Sequence, residues 1–483
     1  MISPAALYRQ SLFPFVREAF RQLHPGQPPL ERSWYMRAMC HALEQSYRGD
    51  TRRLVINVPP RYGKSVTASV AFTAWLLGQD PTLKILVGTY GEELSRQHDQ
   101  QLRQVMNSPQ YRAAFPATVI DRSRTRQLDL HTTAGGFRKA VTTGGAATGF
   151  GGDFILLDDC MKAQDATSEA ERQRVKDWFC GTIGTRLNNK REGRIISIQQ
   201  RLHEDDLTAL ILEGGAEHLN LPAIAQIAER IPVGPDLFHA RAAGEVLDPS
   251  REDLATLERI RRELGPRVFG PQYLQDVASA EGNIVRAHWF PRYEGAPERE
   301  VFRKVIQSWD TAMTAEPTSA FSVCTTWGHL DGCWYLLDVL RQRLEYPDLK
   351  RSVIQMWRRW RADAVVIEDA ASGIPLWAEL RTEGPFRPIM WKPEGSKEDR
   401  LIGQTGQMEA GKILLPDEAP WLEAYLHELK TAPNCRYWDQ VDSTTQFLEF
   451  ALARQSWINT DYDPVTGRPL RINRPTRARW GPR

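Results

Sequence analysis

The chain has 483 residues, too many for one ordinary core, so two or three domains are expected. At 41% hydrophobic and 25% charged it reads as a soluble globular protein, and a formal charge of only +2 excludes a whole-molecule field for nucleic acid, leaving basic surface to local patches. Six scattered cysteines without a C-x-x-C pair argue against a zinc ribbon or disulfide framework, and the sequence shows neither a signal-peptide core nor a bilayer-length apolar run, so an intracellular protein is expected.

In chain order, Met36, Met39, Cys40, Leu43 and Tyr47 recur at helical spacing, with Gly49 as the stop. RLVINV (53–58) reads as a short buried strand, SVTASVAFTAWLLG (65–78) as a helix and LKILVGTY (83–90) as a second strand. EELSRQHDQQLRQVM (92–106) is again helical, and FILLDD (154–159) and RIISIQQ (194–200) are strands. Strands alternating with helices predict a mostly parallel sheet covered on both faces. Beyond about 222 the pattern weakens; IPVGPDLF and LGPRVFGPQY flank the charged helical stretch REDLATLERIRREL, and the segment reads as a connector with little sheet. A second α/β unit follows. KVIQSWDTA (304–312) is a strand, FSVCTTW and CWYLLDVL form a hairpin around GHLDG, and LKRSVIQMWRRW is a helix. AVVIED (364–369) is a strand and TTQFLEFALAR a closing helix; the tail 464–483 carries six arginines and no acid. The expected division is 1–225, a connector 226–295, a second domain 296–460 and a flexible basic tail 461–483.

VPPRYGKS (58–65) has the form of a phosphate-binding loop whose opening glycine is replaced by Val58. Such loops work because successive backbone N–H groups at a helix start point at phosphate oxygens. Pro59 and Pro60 lack an N–H but stand at the entrance, which leaves the amides of Arg61 to Ser65, including Gly63, to wrap a phosphate. Lys64 is expected to reach the β- and γ-phosphates, Ser65 to bind Mg²⁺, and Arg61 to add a second cation. FILLDD delivers two carboxylates at a strand end: Asp158 for the Mg²⁺ shell and Asp159 to activate the attacking water. Read alone, a GKS is as much a surface turn as a nucleotide site; strand–GKS–helix followed by strand–DD favours an ATPase. Gln199, Gln200 and Arg201 are candidates to sense the γ-phosphate, with a plain polar loop as the equal rival.

In the second unit, Asp310 and Glu368 end strands, while Asp439 and Asp442 share a helix face. Convergent carboxylates repel unless hard divalent cations neutralise them, and two Mg²⁺ or Mn²⁺ ions are the usual clamp on a phosphodiester. Asp369 points the other way on its strand and is left out. The order hairpin–helix–strand–helix with acids at these points predicts a ribonuclease H-like nuclease.

From INVPPRYGKS to DQVDSTTQF, by way of ILLDDCMK, QQRLHEDDL, NLPAI, LGPRVFGPQYLQD, EGNIVRAHWF, IQSWDTA, VIEDAASG and EAGKILLP, the chain resembles the large subunit of a tailed-phage DNA-packaging terminase. The resemblance implies an N-terminal P-loop ATPase joined to a C-terminal ribonuclease H-like endonuclease. It implies ATP and Mg²⁺ as cofactors, and double-stranded DNA, a small terminase subunit and a procapsid portal as partners. It further implies a homo-oligomeric ring on that portal, no membrane, and a place in the infected host's cytoplasm outside the mature virion. Lys64 and Ser65 match the Walker A loop, Asp158 and Asp159 Walker B, and Gln199 to Arg201 the coupling segment. Asp310, Glu368 and Asp439/Asp442 match the nuclease metal ligands. Two departures stand out. Where the family often has a glycine-arginine stretch, this chain has ATGFGGD (147–153), which leaves an arginine finger unassigned with Arg138 nearby; and Gln200 replaces a common threonine. KPEGSKEDR (392–400), with Lys392, Lys397 and Arg400, and the arginine tail are candidate DNA-backbone contacts, a solvated charged loop being the plainer reading. A repair helicase–nuclease and an inactive prophage remnant that only binds DNA or portal are the alternatives.

Overall fold

Runs of four or five apolar residues bounded by polar ones form the central strands of both sheets, as burial on two faces requires. The computed structural model describes residues 3–26, 33–145, 149–277, 284–295, 297–312, 320–370, 372–433 and 435–459. The basic tail at 461–483 lies outside them, as does part of the ATGFGGD stretch. The chain divides into two units, 1–282 and 283–483. Of the expected connector, the part up to 282 therefore clusters with the first unit and the rest with the second.

The first unit is built on β1 (Arg53–Asn57), β2 (Lys84–Thr89), β3 (Asp129–His131), β4 (Phe137–Thr142), β5 (Phe154–Asp158), β6 (Arg194–Gln199) and β7 (Glu217–Asn220), in the order β3-β4-β2-β5-β6-β1-β7. Every pairing is parallel except β3 with β4. Alternate residues feed two cores: Ile56, Val87, Leu156 and Ile198 face one layer, and Val55, Leu86, Ile155 and Leu157 the other. The helix Trp34–Arg48 covers the first layer and ends at Gly49, whose φ of 92° closes it with a left-handed cap.

Residues 226–282 hold more order than the sequence suggests. An antiparallel hairpin, β8 (Glu229–Gly234) and β9 (Leu237–Arg241), precedes the helices Leu254–Leu264 and Pro266–Leu274. Leu257, Phe269 and Leu274 form a small core with Ala223. The reading as a connector with little sheet missed the hairpin because it is largely exposed, so its strands carry no apolar alternation.

In the second unit β10 (Arg292–Tyr293), β11 (Lys304–Asp310), β12 (Ser322–Leu330), β13 (Cys333–Gln342), β14 (Ala364–Glu368), β15 (Ile389–Trp391) and β16 (Ile413–Pro416) lie in the order β10-β16-β13-β12-β11-β14-β15. β11, β12 and β13 are antiparallel, and β14 joins β11 in parallel with Trp309 opposite Ile367. The hairpin turn is only Asp331–Gly332, both with positive φ, as the twist of a two-residue turn demands. The helix Asp439–Ala453 crosses one face, where Phe447 stacks on Trp327 at 4.6 Å between ring centroids. Residues 397–400, read as charged loop, instead open the helix Lys397–Glu409, with Ser396 accepting the Asp399 N–H as its cap. No described helix is long and apolar enough to cross a membrane.

Candidate functional site

β5, β6 and β1 are neighbours, so their carboxyl ends bring Asp158, Gln200 and the VPPRYGKS loop to one edge of the sheet. That edge is where open α/β sheets bind ligands. Val58 is fully buried below the loop, so its side chain anchors the strand end. Arg61 and Gly63 take left-handed backbone, with φ of 71° and 74°. At Gly63 a Cβ would also meet Met36 Cε at 2.9 Å, so glycine is required there for two reasons. A wide π-helical segment, Val66–Phe72, then leads into the helix Thr73–Gln79.

Asp158 ends β5 fully buried, and its carboxylate accepts hydrogen bonds from Ser65 Oγ at 3.1 Å and Ser69 Oγ at 2.6 Å. Asp159 turns into left-handed backbone and pairs with Lys64 Nζ at 2.9 Å. Burial lifts both carboxyls above their ordinary range; the Ser69 hydroxyl and Lys64 oppose it at Asp158, and Lys64 at Asp159. A cleft of about 790 Å³ opens above, lined by Arg61, Gly63, Lys64, Ser65, Asp159 and Gln200. Asp158 lies beneath it. Of the coupling segment only Gln200 reaches the cleft, since Gln199 donates to Thr208 at 2.8 Å and Arg201 pairs with Asp206 at 3.0 Å. The Ser65 hydroxyl and the Asp158 carboxylate form an oxygen pair that suits a hard cation.

Sequence reasoning missed Ser69, one helical turn beyond Ser65 and on its face, and His98, whose Nδ1 is 3.7 Å from Asp158. That approach is not an ion pair, because burial pushes the His98 imidazole down to about 3 and keeps it neutral. Arg138, the nearest candidate for an arginine finger, is 0% exposed on β4. A side chain with no exposed surface does not extend to a neighbouring molecule, so the structure argues against that role. Burial lowers its guanidinium to about 10.

The second site also forms at strand ends. Because β11 and β14 run parallel in register, Asp310 and Glu368 emerge side by side. Gly373 tightens this junction: a Cβ there would lie 2.0 Å from the Glu368 carbonyl oxygen. Asp439 and Asp442 sit in the first turn of the helix Asp439–Ala453. Polar contacts fix that turn over β11, with Ser443 Oγ donating to the Ser308 carbonyl at 2.9 Å and Gln446 Nε2 to Ser308 Oγ at 2.9 Å. All four predicted carboxylates thus converge. Burial, then Asp442, Glu368 and Asp439, hold Asp310 well above the carboxylate range, and burial lifts Asp439 to about 6. Asp369 is exposed, as expected.

Each helical acid has a local partner. Asp439 accepts the Phe321 N–H at 2.9 Å, while Asp442 takes Lys397 Nζ at 2.8 Å and Arg400 Nη2 at 2.7 Å. Lys397 and Arg400, expected as DNA contacts, therefore face the acids. Among the described residues no three acidic, histidine or cysteine side chains stand close enough together to hold an ion as they are. The fit to a divalent cation rests on donor chemistry: only carboxylate oxygens, crowded enough to repel.

Residues 307–449 match the family described as the terminase RNaseH-like domain. The second unit is a terminase ribonuclease H-like domain. The crystal structure of the HK97 bacteriophage large terminase matches 91% of this chain and 98% of its own, at 11% identity and a TM-score of 0.53. The terminase fold thus extends across both units. The large terminase nuclease of thermophilic phage G20c, with bound magnesium, is similar at 18% identity, 32% of this chain, 89% of that one and a TM-score of 0.26. An ATPase-domain variant of the Thermus phage P74-26 large terminase gives 17%, 38%, 68% and 0.25. No curated protein sequence matches the chain closely enough to count as a relative.

Proposed function

We propose that this protein is a terminase large subunit that hydrolyses ATP to drive double-stranded viral DNA into a procapsid and cuts the concatemer with its second unit. The observation that supports this best is a pair of chemically distinct sites, one in each unit of a terminase fold: a GKS loop tied to Asp158 and Asp159, and a carboxylate cluster at the end of β11.

In the first site Lys64 leaves Asp159 for the β- and γ-phosphates when a triphosphate enters. This frees Asp159 to orient water and take its proton. Ser65 and Asp158 would hold Mg²⁺, which neutralises developing phosphate charge. Gln200, with a buried Oε1 that has no hydrogen-bond partner among the described residues, is placed to register loss of the γ-phosphate. In the second site Asp310 and Glu368, with Asp439 and Asp442, would hold two Mg²⁺ or Mn²⁺ ions during cutting, and these supply an activated water and stabilise the leaving oxygen. The partners in this reading are double-stranded DNA, a small terminase subunit and the portal, on which the chain forms a ring in the host cytoplasm.

The test is a crossed pair of variants. Lys64→Ala is expected to abolish ATP hydrolysis while leaving plasmid nicking in Mn²⁺ intact, and Asp310→Asn to do the reverse. Both activities falling together in either folded variant would sink the two-site reading.

A further inference from the structure

Lys397 and Arg400 lie one turn apart on the helix Lys397–Glu409 and grip the two oxygens of the same carboxylate, Asp442. Their settings differ. The Lys397 side chain is 49% exposed, whereas Arg400 is 7% exposed. Arg400 Nε and Nη1 are buried without a hydrogen-bond partner among the described residues. Leaving a buried donor unmatched costs about 1–3 kcal/mol. Such a guanidinium, aimed into an acid cluster with donors to spare, points to a further acceptor of the planar, multidentate kind that a phosphate offers.

Charge points the same way. Asp310, Glu368, Asp439 and Asp442, fully ionised, carry −4; Lys397 and Arg400 bring +2 and leave −2. Glu449 and Arg341, at the margins of the cluster and opposite in sign, cancel, and Glu428 is occupied by the N–H groups of Gln440 and Val441. One divalent cation therefore neutralises the centre. A second drives it to +2 in a partly desolvated pocket, which is unfavourable until an anion arrives.

We propose that the nuclease centre takes a single divalent cation in the absence of DNA, with Lys397 and Arg400 standing in for the second. The second ion enters only with a DNA phosphate, whose oxygens also meet the open N–H groups of Arg400. This rests on the nuclease reading above.

The test counts Mn²⁺ bound to the full chain without nucleotide at pH 7, by calorimetry and by electron paramagnetic resonance. Nuclease-centre ions are those lost in Asp310→Asn. One such ion is expected for the protein alone, rising to two on adding a short phosphorothioate duplex that resists cutting. The double variant Lys397→Met/Arg400→Met is expected to bind two without DNA, with circular dichroism confirming its fold. Two Asp310-dependent ions without DNA, or one that stays one with DNA, overturns the proposal from the unmodified protein alone, whatever becomes of the double variant. An Mn²⁺ count indifferent to Asp310→Asn instead removes the nuclease reading on which it stands.

Discussion

Arg138 shows how a single residue separates a positional guess from a physical one. Its place in the chain, shortly before the ATGFGGD stretch, suggested a finger, but all its nitrogens are buried and without hydrogen bonds among the described residues. Asp99, the acid that acts on it most strongly, is already held by Arg103 at 2.8 Å. An unmatched buried charge subtracts from stability, and an apolar side chain of similar volume often does no worse. Arg138→Met is therefore expected to leave stability unchanged or raise it by up to about 2 kcal/mol in denaturant titrations. A clear loss, on the order of 2 kcal/mol or more, would mean that the guanidinium has a partner in solution.

At the scale of elements, the junction from β14 to the helix Gly373–Glu383 decides where Glu368 points. The added Cβ of Gly373→Ala, 2.0 Å from the Glu368 carbonyl, forces the junction open. Plasmid nicking is expected to fall at least about tenfold, the equivalent of 1.4 kcal/mol, with ATP hydrolysis unchanged, because the first site shares no residue with this turn. Nicking at the unmodified rate would show that the junction relaxes without moving the carboxylate. These elements were the legible part of the sequence: FILLDD and AVVIED are apolar runs that end in acids, and strand burial explains both features. Asp439 and Asp442 were legible because three residues span one turn. The 229–241 hairpin was not, since exposed strands need no apolar alternation. Nor was the role of Lys397 and Arg400: KPEGSKEDR contains no apolar residue to mark a helix face, although Ser396 and Asp399 gave a cap signal. Their partner, Asp442, is 42 residues away, beyond any local pattern.

Across the whole molecule the two units answer to different ligands, and pH exposes the difference. Burial raises Asp439 to about 6 and Glu428 to about 7, and Asp310 lies well above its ordinary value. A carboxyl whose folded pKa exceeds its unfolded one favours the folded state while protonated. That contribution is complete below the unfolded value, about 4, and is lost as pH rises through the folded value. Each shift of roughly 2 units is worth on the order of 3 kcal/mol. Without divalent cations the second unit is therefore expected to melt at progressively lower temperature between about pH 4 and pH 7, the range set by these shifts. Asp439→Asn should flatten that slope. Mn²⁺ added at pH 7 should restore the unmodified protein's melting temperature but leave Asp310→Asn little changed, because the repulsion the ion relieves is then already reduced. ATP analogues should shift only the transition that Lys64→Ala abolishes. A metal-free melting temperature that climbs from pH 4 to 7, or an Mn²⁺ response of equal size in Asp310→Asn, would mean that the carboxylates at the end of β11 do not crowd one another in solution.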